Sequence, residues 1–216
     1  MALNKLKFNS LNVTPTAGKT IGFNSSANGL EATLSGGAMT FIKKLTASSS
    51  GTLSFVDGSS DVVLDNTYKE YMFIFNSIHA GTDDRGLQVG FRDGSTDYDA
   101  TITSTSFRAY HQEDGGESSL AYDTGLDKAQ QTTFQQLSVD VGNENDNSVS
   151  GYMHLFNPSS TTFVKHFIAV TNGQSSQATN QSFNYFTAGY CNVTAAIDAV
   201  QFKMSTGNID AGTITL

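Results

Sequence analysis

The stretch that decides the fold is SVSGYMHLFNPSSTTFVKHFIAVTNG, residues 148–173, followed by SFNYFTAGYCNVTAAIDAVQFKMSTGNIDAGTITL, residues 182–216. Apolar and aromatic residues come in runs of about one strand length, and Asn, Ser, Gly and Thr separate the runs. This pattern is typical of antiparallel strands joined by turns. Neither stretch holds a grouping of residues that indicates chemistry, so both predict architecture rather than a reaction.

Strand signals of the same kind continue towards the N-terminus. The strongest is KEYMFIFNSI, residues 69–78, in which both alternating faces are apolar. We therefore expect an interior strand that is covered on each side. The runs at 39–47 and 52–56 flank the turn-rich SSSG and predict a hairpin. A polar segment farther along predicts one short helical turn near 126–131.

These runs together predict about nine or ten strands. No sustained amphipathic helix is present, which argues against βαβ architectures. The fold class that we predict is all-β, a jelly-roll-like antiparallel β-sandwich over residues 39–216, with other Greek-key sandwiches as the alternative. Residues 1–38 hold too few apolar side chains to close a core, and they predict an extended N-terminal arm for docking or oligomerisation. The open alternative is a pair of edge strands packed on the main domain.

Composition limits the partners of the chain. Only 15% of the 216 residues are charged, so Ser, Thr, Asn and Gln must form much of the surface. The net charge of −8 disfavours binding to nucleic acid and to membrane surfaces, since phosphate groups are repelled. No apolar run approaches the ~18 residues of a membrane span, and MALNKLKFNSLNVTP lacks the apolar centre of a signal peptide.

The residue types that usually carry catalysis do not form a recognisable motif. Cys191 is the single cysteine, and its place in YFTAGYCNV predicts a small buried strand residue. His154 and His166 lie in apolar runs without zinc-ligand spacing, which predicts ordinary strand residues. The sequence has no GxSxG, GxGxxG or GxxxxGK[ST] motif. We therefore predict that the protein is not an enzyme.

Two loop features are candidate binding residues. Asp93, Asp97 and Asp99 in DGSTDYD are candidate Ca²⁺ ligands, because Ca²⁺ prefers several closely placed oxygens. Their spacing does not match an EF-hand, and turn formation by Asp is the simpler interpretation. Ca²⁺ is the one cofactor that the sequence brings into consideration. Tyr98 and Tyr122 are candidates for stacking on sugar rings, and packing at the rim of the sandwich is the alternative.

Four strings carry a resemblance to a known family. They are SFRAYHQEDG, GYMHLFNPSSTTFVKHF, FTAGY and AIDAVQFKMSTGNIDAGTI. They resemble a β-domain found in virion-associated proteins of marine tailed phages, notably those that infect cyanobacteria. The resemblance covers about residues 39–216. The N-terminal KLKFNSLNVTPTAGKTIGFNSSANGLEA is similar to the leading arms of such phage proteins.

The resemblance implies a non-enzymatic structural component of a virion that is assembled in the host cytoplasm. It favours an appendage, such as a tail fibre or tail-associated protein, that docks on other virion proteins through residues 1–38. A capsid decoration protein (a head fibre or knob) and a module that binds host-surface glycans are the alternatives. Because phage appendages are usually symmetric, it also implies a homo-oligomer, with a trimer favoured.

Overall fold

The structure, a computed structural model, describes residues 19–23, 30–34, 39–175 and 180–216. The chain divides into two compact units between Thr40 and Phe41. In the first unit, β1 (Lys19–Phe23) and β2 (Leu30–Leu34) pair antiparallel as a two-stranded sheet of their own. The rest of the predicted arm lies outside the described residues, and its docking role stays a prediction.

The second unit consists of two antiparallel sheets. In spatial order the larger sheet contains β3 (Lys44–Thr46), β15 (Ile209–Thr215), β5 (Glu70–Ala80), β11 (Val149–Phe156), β12 (Lys165–Ser175), β13 (Gln181–Cys191), β7 (Ile102–Gln112) and β8 (Ser118–Tyr122), and β9 (Lys128–Gln131) also pairs with β7. The smaller sheet contains β10 (Gln135–Gln136), β6 (Leu87–Arg92), β14 (Ala199–Met204) and β4 (Leu53–Val56). No helix occurs among the described residues, and the predicted all-β sandwich is confirmed.

The path of the chain combines two kinds of connection. From β3 to β7 successive strands alternate between the larger and the smaller sheet, as strands do in jelly-roll folds. By contrast, β11, β12 and β13 are consecutive neighbours within the larger sheet. This three-stranded meander makes the larger sheet wider than the smaller one.

Aromatic side chains from both sheets meet in the core. The ring of Phe202 in β14 lies 5.4 Å from the ring of Phe73 and 5.2 Å from that of Phe75, both in β5. Phe55 of β4 approaches Phe73 edge-on at 5.3 Å. All four side chains are buried, and burial of each Phe contributes roughly 1.5–3 kcal/mol to folding. These contacts hold the two sheets together without a disulfide.

Four local predictions are wrong. Residues 39–47 and 52–56 do not form a hairpin, because β3 pairs with β15 and β4 pairs with β14, so the intervening turn crosses between the sheets. Residues 128–131 of the helical turn expected near 126–131 form strand β9, whose pairing with β7 overrides their helical composition. Thirteen of the fifteen described strands belong to this unit, more than predicted, since strands as short as β10 leave no periodic signal.

The fourth wrong prediction concerns β5. Its interior position, between β15 and β11, is confirmed. Its inward residues Tyr71, Phe73 and Phe75 are buried, but the opposite face is not covered in the described structure. Ile74 on that face is 36% exposed. The apolar content of both faces therefore marks a strand with one buried face and one apolar exposed face.

Candidate functional site

A row of apolar side chains crosses the outer face of the larger sheet. Its members are directly opposite one another in the strand register, each on a different strand. We call this row the apolar ladder, and in spatial order it consists of Ile74, Tyr152, Val170, Phe186, Phe107 and Tyr122. Neighbouring strands lie ~4.8 Å apart, so the ladder spans about 24 Å.

The outward direction of the ladder follows from the two-residue period of strands. Five of its members have a buried neighbour on the same strand, such as Phe73, Met153 and Tyr185, and Tyr122 is placed on the same face by its pairing with Phe107. Successive side chains point to opposite faces, so the ladder residues must face away from the core. Tyr122 remains 52% exposed and Phe107 42% exposed.

A second row beside the ladder is also mostly apolar. Met72, His154, Ile168 and Ala188 are opposite one another on β5, β11, β12 and β13. Ile168 is 47% exposed. Nδ1 of His154 lies 2.5 Å from Oε1 of Glu70, the first residue of β5. Glu70 is the sole carboxylate in β5, β11, β12, β13 and β7, which leaves this face nearly free of negative charge.

A shallow apolar groove lies within the same region. It has a volume of about 390 Å³, and its lining includes Thr105, Ile168, Ala188 and Tyr190. Thr105 precedes the ladder residue Phe107 by one outward position on β7. The outer face therefore offers both projecting rings and a recess.

A polar groove borders the ladder on its other side. It has a volume of about 310 Å³ and is lined by hydroxyl, amide and carboxylate groups of Glu113, Asp146, Ser148, Ser150, Asn172, Gln174 and Ser182, together with Gly173. Nδ2 of Asn172 donates to Oγ of Ser182 at 3.3 Å and to the Phe183 carbonyl at 2.8 Å. Such groups can exchange hydrogen bonds with the hydroxyls of a neutral ligand.

The two candidate sugar-stacking tyrosines lie in different parts of the sandwich, Tyr122 in β8 of the larger sheet and Tyr98 in the loop after β6 of the smaller sheet. Tyr122 belongs to the ladder, and its hydroxyl donates to Oδ2 of Asp127 at 2.7 Å, which raises the pKa of Tyr122. Tyr98 follows β6 of the smaller sheet and is half-buried, with its ring 6.3 Å from that of Phe134 and the Arg92 guanidinium 6.0 Å away. The two side chains therefore do not form one site, and Tyr122 is the more available of them.

The candidate Ca²⁺ ligands are not brought together as a metal site. No group of three or more His, Cys, Asp or Glu residues within the described part of the chain is placed to hold a metal ion, and this includes Asp93, Asp97 and Asp99. The backbone N–H of Asp97 donates to Oγ of Ser95 at 3.1 Å, which is a turn-type hydrogen bond within this loop.

The residues at the ends of β12 and β13 have structural contacts. Cys191 is buried, as predicted, and burial raises the pKa of its thiol. Its cross-strand neighbour Lys165 is buried too, and burial lowers the pKa of that ammonium. Nζ of Lys165 donates to the carbonyls of Ser160, Val193 and Ala195. The three hydrogen bonds of Lys165 fasten the loops that follow β11 and β13.

Sequence reasoning missed the ladder as a feature. Its one signal was the apolar outer face of the run at 69–78, which we interpreted as two-sided burial. The fold and this face together define an antiparallel β-sandwich with an exposed, nearly uncharged apolar surface.

Comparison with protein-family models, curated proteins and solved structures finds no match to this chain. Within the described residues, the structure contains no helix long and apolar enough to cross a membrane.

Proposed function

We propose that this protein is a non-enzymatic structural component of a bacteriophage virion, an appendage such as a tail fibre or tail-associated protein. The observation that supports this role best is the apolar ladder. Exposed apolar patches on folded proteins mark interaction surfaces, because their burial against a partner releases water from apolar area. A face built for contact fits a protein that works as part of an assembly.

The position of the ladder adds to this argument. It lies on the central strands of the larger sheet, whose opposite face packs in the core through residues such as Phe73 and Met153. A surface on such strands is rigid, and rigid surfaces lose little conformational entropy when they bind. The resemblance of residues 39–216 to virion-associated phage proteins supports the particular assembly, a phage particle.

Incorporation into particles tests the proposal. The full chain and a variant without residues 1–38 are expressed during infection, and purified particles are analysed by quantitative mass spectrometry. We expect the full chain to be present at a fixed copy number per particle. We expect the shortened chain to be lost from particles while its circular dichroism spectrum shows a folded β-protein. Absence of the full chain from purified particles would overturn the role.

The same particles distinguish a tail appendage from a capsid decoration protein. Density for the sandwich in an electron-microscopy map of the intact particle gives its position and copy number. We expect density on the tail. Density on the capsid would replace the appendage with a head fibre or knob and would leave the structural role intact.

A second candidate function, glycan binding, is favoured by one observation. The polar groove that contains Asn172 and Gln174 lies beside the exposed rings of the ladder, including Tyr152. Sugars present hydroxyls on their edges and apolar ring faces, so a groove of this kind next to aromatic rings suits them. We expect binding on a glycan array to fall in Asn172→Ala and Tyr122→Ala. Tyr98→Ala, in the loop after β6, is the matched control. An array without signal from the native protein contradicts this function.

A further inference from the structure

We propose that the apolar ladder and the row beside it form the contact surface between two copies of this chain. The inference concerns the face on which the proposed function rests, and it names the partner that covers that face. Three properties of the face carry it, namely its charge, its area and its shape.

The charge of the face is compatible with contact between copies of the same protein. The chain has a net charge of −8, so two copies repel each other through their acidic surfaces. The central strands of the larger sheet avoid this repulsion, because Glu70 is their sole carboxylate and it is paired with His154 at 2.5 Å. The strands of the smaller sheet also lack carboxylates, but they carry Arg92 and Lys203 and none of the large exposed apolar side chains of the described residues. The larger sheet therefore offers the face that combines low charge with exposed apolar area. A basic partner would instead be drawn to the acidic loops at 82–84 and 93–99.

The area of the face matches the centre of a stable interface. The ladder spans about 24 Å, and the second row lies ~7 Å farther along the strands. With the side chains that flank these rows, the apolar region covers on the order of 500 Å² in projection. A standard interface buries about 800 Å² on each partner, with an apolar centre and a polar rim. Ser150, Asn172 and Asn184, which are opposite one another on β11, β12 and β13, supply such a rim.

The shape of the face suits a contact between identical surfaces. An isologous contact requires one patch to carry both parts of each complementary pair. Here the ring of Tyr122 projects, and the groove beside Ile168 and Ala188 recedes on the same face. Two larger sheets packed through these faces would lie about 10 Å apart, as sheets do in sandwiches. In that arrangement rings of one copy enter the groove of the other.

Sedimentation equilibrium of the full chain, from about 1 to about 200 µM, tests this proposal. We expect the native protein to self-associate, and we expect Ile168→Asp and Phe107→Asp to raise the dissociation constant by more than about tenfold, because each buries a charge in the contact. Phe163→Asp is the matched control. Phe163 is 68% exposed but lies in the connection between β11 and β12, outside the face, so its substitution should leave association unchanged.

Two outcomes would overturn the proposed contact between copies. A native protein that stays monomeric at the highest concentration overturns the proposal and assigns the face to another virion protein or a glycan. Association that both Asp variants leave unchanged overturns it as well, by placing the contact elsewhere, for example in residues 1–38. Should an Asp variant fail a near-ultraviolet circular dichroism check of folding, Ile168→Thr gives the same comparison with a milder change. Incorporation into particles is scored separately, so a monomer found in particles contradicts this inference alone.

Discussion

The rings of Phe107 and Phe186 lie face to face on the outer surface of the larger sheet, with centroids 4.9 Å apart and planes 8° from parallel. The two residues are cross-strand neighbours on β7 and β13. Stacked rings between strands stabilise a sheet beyond the area that they bury. The pair therefore fixes the relative position of two rings in the exposed apolar ladder.

A double-mutant cycle measures this stacking. We expect Phe107→Ala and Phe186→Ala to lower the free energy of unfolding by less together than the sum of the two single changes, with a coupling of about 0.5–1.5 kcal/mol. Urea unfolding followed by circular dichroism, at a concentration where the chain is monomeric, gives the four values. Phe107→Ala with Ile74→Ala, at the far end of the ladder, is the control cycle and should be additive. Additive effects in the first cycle would contradict a stabilising stack.

The ladder shows why the sequence predicts the sandwich but not the surface. Strand runs such as 182–193 are evident from apolar content and turn residues, and the structure confirms a strand there. The ladder, by contrast, joins residues as distant in sequence as Ile74, Tyr152 and Phe107. Only the pairing order and register of the strands bring these residues into one row, and neither is encoded in a local period.

Two further residues illustrate the same limit. Lys165 sits in an apolar run, where the sequence gives no sign that three loop carbonyls surround its ammonium group. Gly90 is one small residue inside a strand, and its contact with Phe134 depends on a segment more than forty residues away. In both cases the partner is set by long-range packing, so local propensity carries no signal for it.

Gly90 is required because the ring of Phe134 covers it. A Cβ at this position would lie 2.6 Å from two ring carbons of Phe134. Nζ of Lys203 also contacts that ring, at 4.3 Å from its centroid. We expect Gly90→Ala to lower the free energy of unfolding by about 1–3 kcal/mol, since the ring must move off the smaller sheet. Urea unfolding gives the value.

The control for this change is Gly51→Ala. A Cβ at Gly51 would meet Oδ1 of Asn208 at an ordinary 3.8 Å, so we expect stability within about 0.5 kcal/mol of the native protein. Equal stabilities for the two variants would show that Phe134 is not fixed over Gly90.

Lys165 fastens the loop after β11 to the loop after β13. Its Nζ donates to the carbonyls of Ser160 and Val193 at 3.2 and 2.8 Å and also to that of Ala195. Lys165→Met keeps the length of the side chain and leaves these carbonyls without their donor. We expect a loss of about 1–3 kcal/mol in the free energy of unfolding, since relief of the buried charge offsets part of the lost hydrogen bonding. Lys44→Met on the exposed edge strand β3 is the control. If the two variants unfold at the same midpoint temperature, Lys165 does not hold the two loops.

Two buried phenols should make the protein less stable in alkali. The hydroxyl of Tyr71 donates to the Asp65 carbonyl at 3.0 Å, and burial raises the pKa of Tyr71 to about 12. Burial raises the pKa of Tyr185 to about 12 as well. An unfolded tyrosine ionises near pH 10. Between about pH 10 and pH 12 the unfolded chain therefore releases protons that the folded chain keeps, and stability falls as pH rises.

The variants Tyr71→Phe and Tyr185→Phe isolate this effect. Below about pH 10 the contribution of each phenol is fully present, so Tyr71→Phe should cost only the lost hydrogen bond, about 1 kcal/mol. Across the alkaline window each variant should lose less stability than the native protein, by on the order of 2 kcal/mol, because it has no phenol to ionise at that position. Urea unfolding at closely spaced pH values gives both curves. Parallel curves for native protein and variants between about pH 10 and pH 12 would show that neither phenol controls alkaline unfolding.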